Sequence, residues 1–365
     1  MAAQSHKALH NLLRKVEENA AARGFTFSGC HKSSNSNAGS AYEAFAVAPM
    51  VADAPTLAGY EGCTLVSATT YSWADARQRG AFDVVVIDEA GQISLADALI
   101  ASLIARDVVL LGDPQQLPQV SQGSHPLGTD RSILEHLLGN RRTIAPERGV
   151  FLDTSYRMHP DIDGFVSRAF YDGRLHADEA NVRNRLVTGS SGGAGLRYVD
   201  VQHDGNARYS FEEAERIVTN IAALLRDATV TVRDAAPRRL QTSDVLVVAP
   251  YNMQRVAIEE RLRRAGLGDV RVGTVDKFQG QEAPVVFYSM ATSSAELAPR
   301  GLEFLLSPNR LNVAVSRAQV LSVVVCSPHL LASRATSIEA MRLLNLLCSY
   351  VEEVDRSADR VTLSA

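Results

Sequence analysis

Residues 83–92 read DVVVIDEAGQ. Four apolar residues, Val84 to Ile87, run straight into two carboxylates, Asp88 and Glu89. An unbroken apolar run of this kind predicts a strand buried on both faces, the pattern of a parallel sheet. Ligands on such sheets bind at the carboxyl ends of the strands. Two acids in that position suit two tasks. The first can hold a magnesium ion, which keeps part of its hydration shell. The second can orient and deprotonate an attacking water. The plain alternative is a strand ending in polar residues that cap the next helix, and taken alone the acid pair fits that reading better.

Outward from this stretch, strands and helices alternate. Residues 5–22 predict an amphipathic helix, capped by Ser5 and stopped at Gly24, with Ala8, Leu9, Leu12, Leu13 and Val16 on one face. Residues 25–62 show no periodicity, and SSNSNAGS at 33–40 reads as a loop. CTLVSA (63–68) and DVVLLGD (107–113) predict buried strands, with a helix over 93–105 between DVVVID and the latter. Beyond residue 150 the alternation resumes. LRYVDV, DVLVVAP (244–250), VRVGTV (270–275), PVVFYSM (284–290) and VLSVVVC (320–326) are strands, with helices at 211–226, 252–264 and near 308–318. Ser210 and Glu213 have the spacing of a capping box. The fold class is α/β with parallel sheets covered on both faces, and every unusual motif is expected at the carboxyl ends of strands.

Four further stretches carry chemistry. LLGDPQQLPQV (110–120) places Gln115 and Gln116 at a sheet edge, where an amide can sense a terminal phosphate or a water. DTSYRMHPDI (153–162) puts Arg157 just ahead of a helix starting near His159 and Pro160, in position for an arginine finger. VGTVDKFQGQEAPVVF (272–287) breaks a strand with a polar loop of Asp276, Lys277, Gln279, Gly280, Gln281 and Glu282. Gly280 permits close backbone approach, and Glu282 can accept hydrogen bonds from a ribose. RLNVAVSRAQ (310–319) offers Arg317 as a second phosphate clamp. Taken singly, the glutamines could be a strand and turn, each arginine a surface or helix arginine, and His159 a structural residue.

The chain has 365 residues and a formal net charge of −4, so its surface as a whole is no polyanion trap. Any nucleic-acid contact needs a local basic groove. Lysine occurs only at positions 7, 15, 32 and 277. The cysteines, at 30, 63, 326 and 348, are widely spaced without a CxxC, which argues against a zinc site and for a reduced, cytoplasmic protein. No apolar run is long enough to span a membrane.

IDEAGQ, GDPQQLP, SYRMHP, TVDKFQGQE and LNVAVSRA, in this order, resemble motifs II to VI of superfamily 1B helicases. The similarity is to the group of the nonsense-mediated-decay helicase and the Dna-two-like helicase-nucleases. AAQSHKALHNLL is similar to the end of motif Ia, and SATT (67–70) to the next short segment touching nucleic acid. The resemblance implies two RecA-like domains of P-loop NTPase type, expected at 1–148 and 149–352 with a tail at 353–365, and ATP with Mg²⁺ between them. It implies Asp88 on Mg²⁺, Glu89 activating water, Gln116 coupling the γ-phosphate to movement, Arg157 and Arg317 clamping that phosphate, and Gly280 and Glu282 at the nucleotide. It implies Ser5, His6, Thr69, Thr70 and Thr274 on single-stranded DNA or RNA, and 5′ to 3′ travel driven by ATP hydrolysis.

One part is missing from the 365 residues. A P-loop needs GxxxxGK[ST], glycines to let amides cradle phosphates and a lysine on the β/γ-phosphates. None of the four lysines follows a glycine. The chain is therefore expected to be the portion of a helicase that starts at motif Ia, without the P-loop strand, inactive alone and needing a further segment to supply the loop. The alternative is a non-enzymatic nucleic-acid-binding or scaffolding module.

Overall fold

The computed structural model describes residues 1–34, 37–44, 50–54, 60, 62–119, 125–129, 131–139, 141–189, 191–278 and 280–356. The chain divides into two compact units, Met1–Arg141 and Arg142–Ala365.

The first unit is built on a six-stranded sheet. Its strands are β1 (Ala2–Ala3), β2 (Gly29–Lys32), β3 (Val51–Ala54), β4 (Leu65–Thr69), β5 (Phe82–Ile87) and β6 (Ala105–Leu110). The order is β3-β2-β4-β1-β5-β6, and every pairing is parallel. Helix α1 (His6–Ala22) starts where Ser5 Oγ accepts the Ala8 N–H, and it buries Leu9, Leu13 and Ala20. The same face carries Glu17, fully buried, whose carboxylate accepts from Tyr42 Oη and from the backbone N–H groups of Met50 and Val51. That buried acid ties α1 to β3. Helices α2 (Leu95–Ser102) and α3 (Ile133–Leu138) complete the unit, and Ser132 with Glu135 closes a full capping box on α3. The core gathers Val66, Trp73, Val85, Ile87, Ile93, Ala98 and Ile104.

Two expectations are corrected here. Residues 25–62 hold strands β2 and β3, which GCHK and VADA conceal because neither is an apolar run. The sheet is also not sealed on both faces at β5 and β6. Val84 remains 46% exposed, and Val108 and Val109 42% each.

The second unit has a five-stranded parallel sheet of β7 (Gly195–Asp200), β8 (Val245–Ala249), β9 (Arg271–Thr274), β10 (Ala283–Ser289) and β11 (Ala318–Cys326), in the order β7-β11-β10-β8-β9. Here both faces are covered, and every residue of β10 is buried. Helices α4 (Pro160–Phe170), α5 (Phe211–Asp227), α6 (Asn252–Arg264), α7 (Pro308–Ser316) and α8 (Ile338–Arg356) surround it. The core draws Ile217, Ile221, Val247, Ile258, Val285, Phe287 and Val323 together. A small antiparallel sheet of Arg185–Thr188, Ser191–Gly193, Thr229–Thr231 and Arg238–Arg239 lies to one side. Helix α8 runs through the start of the expected tail, and residues 357–365 lie outside the described residues, as does Gln279.

The capping box expected on α5 is only half made. Ser210 Oγ accepts the Glu213 N–H, but the Glu213 carboxylate turns inward. Fully buried, it accepts from Ser289 Oγ at 2.5 Å, from the N–H groups of Met290 and Ala291, and lies 3.0 Å from His203 Nε2. Two backbone donors at the end of β10 outcompete one at the helix cap. The Ser210 N–H donates instead to Gln254 Oε1. Among the described residues no helix is long and apolar enough to cross a membrane.

Candidate functional site

In the first unit the carboxyl ends of three neighbouring strands present the predicted residues side by side. Ala3 pairs with Thr69, and Ala2 with Ile87, so Ser5 and His6 emerge beside Thr69 and Thr70, with Asp88 and Glu89 next along. Asp88 is fixed by its own N–H, which donates to Ala2 O at 2.8 Å. Its carboxyl is half-buried, and burial raises its pKa although a backbone hydrogen bond at Glu89 opposes the rise. Glu89 adopts the left-handed conformation, φ 53° and ψ 39°, and accepts from Gln92 Nε2 at 3.2 Å. A non-glycine residue held there carries strain, a frequent mark of functional positions.

The loop after β6 packs directly on the loop after β5. Leu111 N–H donates to Ile87 O and Ala90 N–H to Leu111 O, both at 2.8 Å. Two glycines allow this approach. A Cβ on Gly91 would lie 2.8 Å from Asp113 O, and one on Gly112 2.8 Å from Ala90 N. Asp113 then organises the glutamines. Its Oδ1 accepts the Gln115 N–H at 2.9 Å, and its Oδ2 accepts from Gln116 Nε2 at 3.1 Å. The glutamine amide is thereby held beside the acid pair's loop. Asp113 was not among the predicted residues, although an Asp two and three positions ahead of two glutamines is a visible turn signal.

The nearby polar side chains make local bonds. Thr69 Oγ1 meets Ser72 Oγ at 3.1 Å, Thr70 is buried at the start of a 3₁₀ turn, and His6 Nδ1 lies 3.2 Å from His31 Nε2.

In the second unit Arg157, Glu282 and Arg317 come together. Arg157 Nε donates to Glu282 Oε2 at 2.5 Å and its Nη1 to Ser316 O at 3.2 Å. The other Glu282 oxygen accepts from Gln319 Nε2 at 2.9 Å, a partner the sequence reading missed. Arg317 is only 2% exposed, and its guanidinium donates to Val313 O and Gln281 O. Gly280, with φ 71°, faces open space. His159 caps α4, its ring accepting the Asp161 N–H.

The expectation that all motifs lie at carboxyl ends fails in this unit. Glu282 and Arg317 immediately precede β10 and β11, so they sit at the amino edge of the sheet. Thr274 closes β9 at the opposite, carboxyl edge. The reason is topological. In a parallel sheet the loop from β9 to β10 must return from one edge to the other, so its two ends serve different edges.

A family model described as an AAA domain matches residues 129–329, more than half of the chain, and a second AAA-domain model matches residues 62–122. The 3'-5' exoribonuclease HELZ2 of Homo sapiens is 32% identical over 276 residues, spanning 70% of this chain and 9% of its own length. The DNA-binding protein SMUBP-2 of Rattus norvegicus is 30% identical over 261 residues, 70% of this chain and 26% of its own. The ATP-dependent helicase upf1 of Schizosaccharomyces pombe is 31% identical over 271 residues, 70% of this chain and 28% of its own. The chain thus spans less than a third of the length of each of these relatives. With the acid pair, the glutamine loop and the arginine cluster set on two parallel α/β units, these matches identify the protein as a member of the superfamily 1B, Upf1-like helicases, with RecA-like folds.

Proposed function

We propose that this chain carries two half-sites of an ATP-dependent helicase or translocase acting on single-stranded DNA or RNA, moving 5′ to 3′. Asp88 holds Mg²⁺, Glu89 takes the proton of the attacking water, and Gln116 positions against the terminal phosphate. Arg157 and Arg317 stabilise charge on that phosphate, and Glu282 with Gly280 meets the ribose side of the nucleotide. Ser5, His6, Thr69, Thr70 and Thr274 touch the nucleic acid. The observation that carries this reading is the seating of the Gln116 loop on the Asp88–Glu89 turn through Gly91 and Gly112. A half-buried carboxyl at a strand end, disfavoured as an anion by desolvation, fits a dication, whose charge offsets that penalty. Bound Mg²⁺ would supply neutralisation of phosphate oxygens.

The nucleotide fit is partial, since no GxxxxGK[ST] occurs in the 365 residues. The chain alone is therefore expected to bind single strands in a salt-sensitive, sequence-tolerant way and to hydrolyse ATP negligibly. The missing P-loop also favours a second reading, a nucleic-acid-binding module without catalysis. Phosphate release with ATP, Mg²⁺ and single-stranded DNA or RNA, compared with Glu89→Gln, tests the first. No turnover above the variant is expected, and robust turnover abolished by Glu89→Gln would overturn the P-loop argument. Fluorescence anisotropy on the same strands tests the rest. Affinity altered by ATP with Mg²⁺ supports the motor half-sites, affinity indifferent to ATP favours the second reading, and no binding at low salt sinks both.

A further inference from the structure

Three imidazoles converge in the first unit, and one of them, His6, is also among the proposed strand contacts. His6 and His10 lie one turn apart on α1, and His31 projects from β2. His6 Nδ1 is 3.2 Å from His31 Nε2, and His10 Nε2 is 3.4 Å from the same atom. All three ligand atoms fall within 4.8 Å of one another. With zinc–nitrogen bonds of about 2.0–2.1 Å, a tetrahedral site has ligand–ligand edges of about 3.3–3.4 Å. Two of the three edges, at 3.2 and 3.4 Å, are close to that length.

His31 Nε2 is the meeting point of the cluster. His31 Nε2 faces not only two ring nitrogens but also Ser40 O at 3.1 Å, and His10 Nε2 lies 3.2 Å from that carbonyl. If His31 Nε2 is unprotonated, its lone pair opposes the carbonyl. If it is protonated, its one hydrogen serves a single neighbour, and His10 Nε2 can donate to the Ser40 carbonyl in its place. A single cation accepts all three nitrogen lone pairs at once. The far side of His31 is prepared for this, since its Nδ1 meets Ser67 Oγ at 2.7 Å and the ring is fully buried. A ring held through one nitrogen with the other left free is how metal-bound histidines are oriented.

We propose that His6, His10 and His31 form a zinc site, with the fourth position taken by water or by the Ser40 carbonyl. Three neutral imidazoles suit zinc, and no carboxylate or thiolate is needed. The ion joins the first two turns of α1 to β2. It thereby braces Ser5 at the sheet edge, and it commits His6 Nδ1 inward.

The test uses the tag-free chain, stripped with chelator and titrated with zinc chloride against a chromogenic competitor, then with cobalt(II). One equivalent of zinc should bind, with a tetrahedral d–d absorption from cobalt and a raised melting temperature. His6→Gln and His10→Gln change side chains that are only half-buried, and each should weaken zinc by more than the roughly 10–100-fold that outer-shell losses cost. The exposed His136→Gln should change nothing. Binding that is absent, or unchanged in the His6→Gln/His10→Gln double variant, overturns the site.

Discussion

At Gly91, between the loops that follow β5 and β6, no residue larger than glycine fits. Gly91→Ala places a methyl group 2.8 Å from Asp113 O, a backbone atom that cannot swing away. We expect a loss of about 1–3 kcal/mol, read as a lowered urea midpoint. In the second unit, Asp163 on α4 is buried with Oδ1 lacking a hydrogen bond. Burial pushes its pKa up to about 6, against the opposing pull of His176 and the Ala177 backbone. The folded value lies above the unfolded one, about 3.9. The stabilisation from the neutral acid is therefore complete below about pH 4 and is lost as the pH rises through about 6. Asp163→Asn should flatten that part of the pH–stability curve, with a difference approaching about 3 kcal/mol at pH 7. A variant that follows the parent curve at every pH refutes this. At this scale the sequence placed Asp88 and Glu89 just past a strand and Arg157 just ahead of a helix, where the structure has them. It did not reveal Gln319 or His31, whose partners lie far away along the chain.

Elements were legible wherever apolar runs were unbroken. VVVI, VLVVA and VLSVVVC became β5, β8 and β11, with the runs of β8 and β11 covered and that of β5 leaving Val84 exposed. β2 and β3 escaped notice because their residues are held by pairing and by Glu17, not by their own hydrophobicity. Glu213 shows why a local pattern can mislead about its own use. The SxxE spacing is real, but the carboxylate supports the turn after β10, where Ala291 sits at φ 63°. Glu213→Ala leaves Ser289 Oγ and the N–H groups of Met290 and Ala291 without their acceptor. It should destabilise the second unit by about 3 kcal/mol or more, measured by equilibrium unfolding. If Glu213 were merely a helix cap, the loss would stay near 1 kcal/mol.

For the whole molecule, two parallel α/β units were legible from alternation, whereas the edge on which each motif falls was not. Periodicity marks a strand without saying at which end its neighbouring loop must work. Single-strand binding should weaken linearly in the logarithm of salt concentration, with a slope of about −0.7 per phosphate contacted. A flat response would remove the phosphate-contact picture. The bare valines of β5 and β6 bear on something else, namely how the protein behaves in company. β6 is the last strand of its sheet, so one row of its amides and carbonyls has no neighbour among the described strands, beside a greasy surface. Such a margin welcomes any extended chain that drifts past. Light scattering should show particle mass climbing with concentration, and Val109→Lys should hold it down. A purified sample would then keep best when dilute, its shelf life set by three valines and not by its melting point.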